Sequence, residues 1–367
     1  MDTTNSMAEG ATASRLKSIA VNNFGEEGPG DMTPSTREKA QRELNETEEG
    51  TIIAIAELKQ LIANDPKISE IIDRTDDSFY LKYLRARKFD VERSFRLAQN
   101  HALYPERIGQ PHIYYRSLTP GQVLALEEGV IGVLAKRDNL GRKILVLFPG
   151  KWNTETMPLA EMHSLCFLLL NIMIESEETQ VNGFMVLCDA TGLFYRQLLS
   201  VITNRDLVSH IVHLIQETFP GRFKEAIIIK HPWYVSLIKT MVFPLIKKKF
   251  RDRIHILGGG HANIAQRLGP DCLPEDFNGS QPKYDPAFFT QAIQEAINNN
   301  YPPFKPCPPG QDISTPASLS KLHKRHSSLL SFPTTSIETK LEKSLSLQNI
   351  DDEFHDAISF SVSTPLP

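Results

Sequence analysis

At 367 residues, 41% of them hydrophobic and 23% charged, the chain can bury one substantial core with a smaller satellite domain beside it. Its 40 basic and 44 acidic side chains leave a net charge of −4, which excludes a protein held to nucleic acid by bulk charge, so any basic patch must be local. Cys166, Cys188, Cys272 and Cys307 form no CxxC pair or zinc-ligand spacing, and neither a signal-peptide core nor a run of roughly 20 apolar residues is present. The expectation is a reducing cytosol, inert sequons at Asn45 and Asn278, and membrane contact made only from outside the bilayer.

Residues 1–33, rich in Gly, Ser, Thr and Asn, carry too little apolar content to offset chain entropy and read as a disordered lead. From "TPSTREKA" the pattern turns helical, with Thr33 or Ser35 as cap. "EEGTIIAIAELKQLIAND" repeats apolar residues at helical spacing until Pro66, and "TDDSFYLKYLRARKFD" opens on acids and closes on Arg85, Arg87 and Lys88, as a helix dipole favours. "VERSFRLAQNHALY" adds a further helix. Together they predict a small all-helical domain over 34–118.

The period then changes. The runs 141–150, 182–192, 225–231 and 253–260 are short, apolar and stopped by Gly, Pro or polar residues, with helix-length segments between them. Near-continuous apolar strands alternating with helices predict a mostly parallel sheet joined by right-handed crossovers, over 119–300. "DPAFFTQAIQEAINNN" predicts the last helix, and the Ser/Thr/Pro-rich segment 301–367 a disordered tail.

Two stretches carry more apolar surface than one core contact needs. The segment 159–178 is apolar on more than one stripe and so must be covered on two sides, by the core alone or by a hydrophobic ligand as well. "PWYVSLIKTMVFPLI" (232–246) starts on a helix-favouring proline, is apolar at most positions, and spans roughly 21 Å at 1.5 Å per residue, too short to cross a bilayer. Directly behind it stand Lys247, Lys248, Lys249, Arg251 and Arg253. A greasy helix beside five cations suits an interfacial element, each cation worth roughly 1 kcal/mol near an anionic surface, although "KKKFRDR" equally suits a solvated helix end.

Several stretches in order, "YLKYLRARKFD", "DNLGRKILVLFPGKW", "ETQVNGFMVLCDATG", "ETFPGRFKEAIIIKHPW", "KKKFRDRIHILG" and "LPEDFNG", resemble the CRAL-TRIO lipid-binding family over about 34–300, in the branch of tocopherol-transfer protein, cellular retinaldehyde-binding protein and the clavesins. The resemblance implies an α/β fold: a mostly parallel sheet with flanking helices and a mobile lid helix, 233–246, closing over one hydrophobic ligand, preceded by the helical domain. It implies a phosphoinositide-binding site at Arg87, Arg222, Lys224, Lys249 and Arg253. The candidate lipid-pocket residues are Cys166, Phe167, Leu170, Phe184, Val186, Cys188, Tyr195, Leu214, Ile215, Phe219, Ile238 and Val242. Positions 184, 186 and 188 share one strand face, and His163 and His213 near the lining could meet a polar ligand tip. "DATG" and "LGGGHAN" depart from the family's usual turns, so the ligand could be tocopherol-, retinoid- or phospholipid-like.

Enzyme signatures are weak: Gly258-x-Gly260-x-x-Asn263 lacks a third glycine and a following acidic strand, and there is no GxSxG elbow or Walker loop. His210, His213 and Glu217 could share a helix face as metal ligands, but no second ligand cluster accompanies them. Asp189 fits a turn-stabilising carboxylate as well as a catalytic acid. The expectation is therefore a monomeric, non-enzymatic lipid carrier without cofactor, cytoplasmic and peripherally bound to endosomal or other membranes bearing phosphatidylinositol bisphosphate. The alternative is a membrane-recruited scaffold or lipid sensor in vesicle trafficking without net transfer. In the tail, Glu353, Phe354, Asp356 and Ala357 resemble the motif that VAP receptors of the endoplasmic reticulum bind, and "KRHSSL" (324–329) suits a basophilic kinase.

Overall fold

The computed structural model describes residues 32–72, 76–108, 118–232, 235–257 and 262–298; the N-terminal lead, the tail from 299 and the glycines of "LGGGHAN" lie outside them. Thr33 caps α1 (Pro34–Leu44) by accepting from the Thr36 amide, and Thr47 does the same for α2 (Glu48–Ala63) at Gly50. Asp76 and Asp90 cap α3 (Asp77–Ala86) and α4 (Val91–Ala102), and the short α5 (Tyr104–Arg107) follows. Thr119 and Gln122 close a capping box on α6 (Pro120–Glu127).

The sheet has five strands in the order of the chain: β1 (Ile131–Val133), β2 (Lys143–Leu147), β3 (Phe184–Asp189), β4 (Phe223–Ile229) and β5 (Ile254–Leu257). The parallel pairings of β2 with β3, β3 with β4 and β4 with β5 follow the expected pattern, whereas β1 pairs antiparallel on the edge. Three residues, Ile-Gly-Val, are too few to show a period, which is why this strand leaves no mark in the sequence. Between β2 and β3 run α7 (Leu159–Met173) and α8 (Glu177–Asn182); the single helix expected over 159–178 is broken after Met173. Between β3 and β4 run α9 (Tyr195–Thr203), α10 (Arg205–His213) and a π-helical turn, Leu214–Thr218. Between β4 and β5 run α11 (Val235–Val242), a 3-10 turn (Phe243–Leu245) and α12 (Lys248–Arg251), so the predicted lid helix is shorter than its apolar run.

Right-handed crossovers that always step the same way along a sheet put every connecting helix on one face. The packing agrees: Leu145, Phe184 and Phe223 belong to one core with α7 and the π turn, and this core continues into α2, α3 and α4. The opposite face, Ile144, Val146, Met185, Leu187, Ile227 and Ile229, packs against α13 (Ala262–Leu268) and the turns holding Cys272, Leu273 and Phe277. The last helix, α14 (Pro286–Asn298), adds Phe289, Ile293 and Ile297 to the first core.

Buried ions tie the N-terminal helices to α8. Lys82 Nζ lies 3.1 Å from Glu175, both almost fully buried. Arg85 donates to Glu46 at 2.6 and 2.8 Å, to Gln180 at 2.7 Å and to Glu177 at 3.1 Å. Burial alone would lower the pKa of Arg85, yet the carboxylates of Glu46 and Glu177 raise it, so the charge is kept. Glu175 sits between Met173 and Glu177, where the helix breaks: turning the chain there delivers the carboxylate to Lys82.

Candidate functional site

Two regions are set up by this architecture, one apolar and one cationic. The apolar region is the helix-side face of the sheet. Side chains on parallel strands in register stand side by side: Leu145 beside Val186 beside Ala226, and Leu147 beside Cys188 beside Ile228. Val186, Cys188, Ala226 and Ile228 are only half-buried, although both faces of these central strands are covered; on the other face Met185, Leu187, Ile227 and Ile229 are each 0% exposed. The facing helix α10 is apolar along Leu207, Val208, Ile211 and Val212 and buries none of its residues fully.

The two cysteines sharpen the picture. Burial pushes the thiols of Cys166 on α7 and Cys188 on β3 up to about 12, with Asp189 adding to the shift at Cys188. Both nevertheless keep accessible surface. Cys166, Cys188 and their half-buried neighbours thus make one apolar surface on the helix side of the sheet that is less tightly covered than the opposite face.

Of the predicted pocket residues, Cys166, Val186, Cys188, Ile215 and Val242 are half-buried. Phe167, Leu170, Phe184, Leu214 and Phe219 are closely packed core residues; Phe184 meets Phe219 edge-on at 6.0 Å. The side chain of Ile238 lies outside the described residues. Tyr195 is 41% exposed and lines a surface cleft with Trp152, Glu155, Phe194 and Arg196. Ala226 and Ile228 escaped the sequence reading; they alternate with buried Ile227 in "EAIIIK", and pairing that run with 184–188 in parallel would have found them.

His163 is buried, and its Nε2 meets Tyr104 Oη at 2.9 Å, while Tyr104 Oη also donates to the carbonyl of His210 at 3.2 Å. Burial, then the nearby His210, lowers its pKa to about 4, and Nδ1 finds no partner among the described residues. His213 is exposed. Asp189 holds the turn after β3: one oxygen accepts from the Thr191 amide at 2.9 Å and its hydroxyl at 2.5 Å, and the other lies 3.4 Å from Lys230. Burial would raise its pKa, but these partners hold it low.

The cationic region gathers at the amino ends of β4 and β5. Arg222 stands just before β4, Lys224 on it, Arg253 just before β5, and the carbonyl of Arg253 accepts from Ala226, so the sheet itself sets them next to one another. The guanidinium of Arg253 donates to the Phe223 carbonyl and lies 5.7 Å over Phe250, whose ring stacks on Phe223. Arg87 comes from the far side, at the C-terminus of α3, where Lys88 and Phe89 take left-handed backbone angles.

The five predicted cations are close enough to act on one another electrostatically. Burial and then the nearby Arg222 bring Lys224 down to about 8, with Lys39 and Arg253 adding to the shift and Glu43 opposing it. Burial also lowers Lys249, followed by repulsion from Arg253, Arg87, Lys88 and Arg93; Arg253 is lowered by burial and Arg222, and Arg87 by burial and Arg93. Two carboxylates answer them: Glu43, 3.2 Å from Arg222, and Glu217, which pairs with Lys247 and raises the pKa of Arg87. Like charges held this close disfavour one another's protonated forms. Lys39, Lys88 and Arg93 were not foreseen; nothing in their spacing links them to the basic run at 247–253.

Residues 127–279 match the model of the CRAL/TRIO domain, and residues 54–97 that of the CRAL/TRIO N-terminal domain. Clavesin-2 of Mus musculus is 34% identical over 254 residues, 69% of this chain and 76% of its own length; clavesin-1 of Xenopus laevis is 33% identical over 254 residues, 69% and 75% of the two chains. The solved structure of Sfh5 superposes with a TM-score of 0.43 at 13% identity, covering 68% of this chain and 83% of that one.

Proposed function

The chain belongs to the CRAL/TRIO family of lipid-binding and transfer proteins, and from that premise we propose that it carries one hydrophobic small molecule under α11 and exchanges it at phosphoinositide-bearing membranes. It does so as a monomer and by binding, without catalysis. The observation that carries this reading is the half-buried face of Val186, Cys188, Ala226 and Ile228, opposite a face of the same strands with no accessible surface. Roughly 25 cal/mol for each Å² of apolar surface removed from water favours a ligand there. Its walls supply little to a polar head group, so a ligand that is mostly hydrocarbon or ring fits them best.

The cation cluster supports the docking half of the reading. A head group with two or three phosphates would relieve the repulsion that lowers Lys224 and Lys249 and form charge-assisted hydrogen bonds with Arg222 and Arg253. The surface concerned is cytoplasmic, since phosphoinositides face the cytosol and anionic lipid attracts clustered cations there. No helix among the described residues is long and apolar enough to cross a membrane. The VAP-type contact at Glu353, Phe354, Asp356 and Ala357 lies outside the described residues and is proposed on its sequence alone.

Native mass spectrometry of protein purified from eukaryotic cells tests the carrier: one co-purifying lipid per chain is expected. Protein that is empty and refuses to load would favour a scaffold or sensor. Liposome flotation tests the docking, since Lys249→Glu with Arg253→Glu should abolish binding to vesicles containing phosphatidylinositol bisphosphate. Wild-type binding by that variant would remove the site.

A further inference from the structure

The π-helical turn at Leu214–Thr218 has a feature that neither the half-buried face nor the cation cluster accounts for. Leu214 and Thr218 are buried, and the Phe219 amide reaches back five residues to the Leu214 carbonyl at 2.8 Å. The turn is anchored on the N-terminal helices, where Asn100 Nδ2 donates to the Glu217 carbonyl at 3.3 Å. From this fixed mount Gln216 and Glu217 both reach the segment between α11 and α12. Gln216 Nε2 donates to the Leu245 carbonyl at 3.3 Å, its Oε1 accepts from the Lys247 amide at 2.7 Å, and Glu217 pairs with the Lys247 ammonium. Gln216 thus holds the backbone on either side of Ile246, where the chain leaves the 3-10 turn for α12, and Glu217 holds the Lys247 side chain beside it. The charge of Glu217 also acts on Arg87 and on His213, so the carboxylate that pairs with Lys247 is felt by the cation cluster as well.

We propose that Gln216 and Glu217 are positioning residues that hold the hinge at 245–247 closed, and that a phosphate group entering the cation cluster takes Lys247 from Glu217 and frees the hinge. The inference rests on the docking reading above. It adds the step by which docking would reach α11: the incoming anion repels the Glu217 carboxylate and offers Lys247 a stronger partner. Gln216 then carries the hinge alone, by two neutral hydrogen bonds. The shared chemistry is phosphate, and only a head group bearing several can reach Lys247 while held by Lys249 and Arg253.

Amide hydrogen exchange of the full chain tests this. Residues 243–251 are followed without anion, with inositol 1,4,5-trisphosphate, and with inorganic phosphate at equal phosphate content; calorimetry measures binding separately. In the wild type the trisphosphate should raise exchange over 243–251, and inorganic phosphate should not. Glu217→Gln should raise it roughly two- to fivefold without anion, the range for one half-exposed ion pair, and Gln216→Ala up to roughly tenfold. The trisphosphate should then add little to Glu217→Gln, while amides of β3 stay unchanged in both variants. Unchanged exchange in both variants, or a full anion response in Glu217→Gln, overturns the proposal. Calorimetric binding without any exchange response in the wild type overturns it too, while leaving the docking site standing; absence of binding removes the docking site first.

Discussion

Val186 and Val146 offer a matched pair of probes for the proposed ligand chamber. Both are valines in the middle of parallel strands; Val186 is half-buried on the helix side, and Val146 is 0% exposed on the side of α13. Replacing each by Phe adds the same volume with the same chemistry. In a closely packed core such an insertion costs about 1–3 kcal/mol, so Val146→Phe at about 2 kcal/mol should lower Tm by roughly 4–8 °C for a domain of this size. Val186→Phe should fill space that is already open, remain within roughly 0.5 kcal/mol of the delipidated wild type, and abolish ligand uptake. Differential scanning calorimetry of delipidated protein gives the stabilities, and titration with 1-anilinonaphthalene-8-sulfonate gives the uptake. Equal losses of stability at the two positions would mean that the helix side is packed as tightly as the other, and the chamber would not exist.

The low pKa of Lys224 gives a pH dependence. Its folded value of about 8 lies below the ordinary lysine value of 10.5, so the folded protein bears the cost of its charge below pH 8 and is relieved of it between about 8 and 10.5. Polyanion affinity runs the other way: full below pH 8, falling above it, and Lys224→Gln should flatten that part of the profile in calorimetric titrations. Arg85→Ala should cost about 3–5 kcal/mol in urea denaturation, because Glu46 and Glu177 would be left without their buried cation; a loss below 1 kcal/mol would show that water reaches them. Gly183 has φ +82°, and a Cβ there would lie 2.2 Å from the Arg222 carbonyl, which pairs with the Phe184 amide. Gly183→Ala should therefore both destabilise the fold by about 1–3 kcal/mol and weaken head-group binding, since Arg222 must shift; unaltered liposome flotation would contradict the second part.

The parallel strands were legible in the sequence because burial on both sides turns them into apolar runs stopped by Gly and Pro. The helix start at Thr33 follows from a short polar side chain that bonds its own backbone, whereas the one at Thr119, capped in the same way, was not read. Beyond these, local pattern falls silent where long-range contacts decide: the break after Met173 serves Lys82, which stands 93 residues from Glu175. The cation cluster combines residues from 87 to 253, brought together by strand order; a family resemblance names five of them, but no spacing could. Tyr195 follows β3 yet sits in a surface cleft, and nothing in "GLFYRQLL" distinguishes that from a buried position. Gln216 and Glu217 belong to a π turn, for which the local sequence carries no known signature.

The same-side stepping of the crossovers leaves the two faces of the sheet with separate duties. Residues 264–277 seal one face in a core of its own, so substitutions there should register as changes in melting temperature. Those along α10 and the opposite face of β3 and β4 alter side chains that are only half-buried, while the sealed side keeps the molecule folded. The half-buried face is thus free to vary without the scaffold first having to be rebuilt.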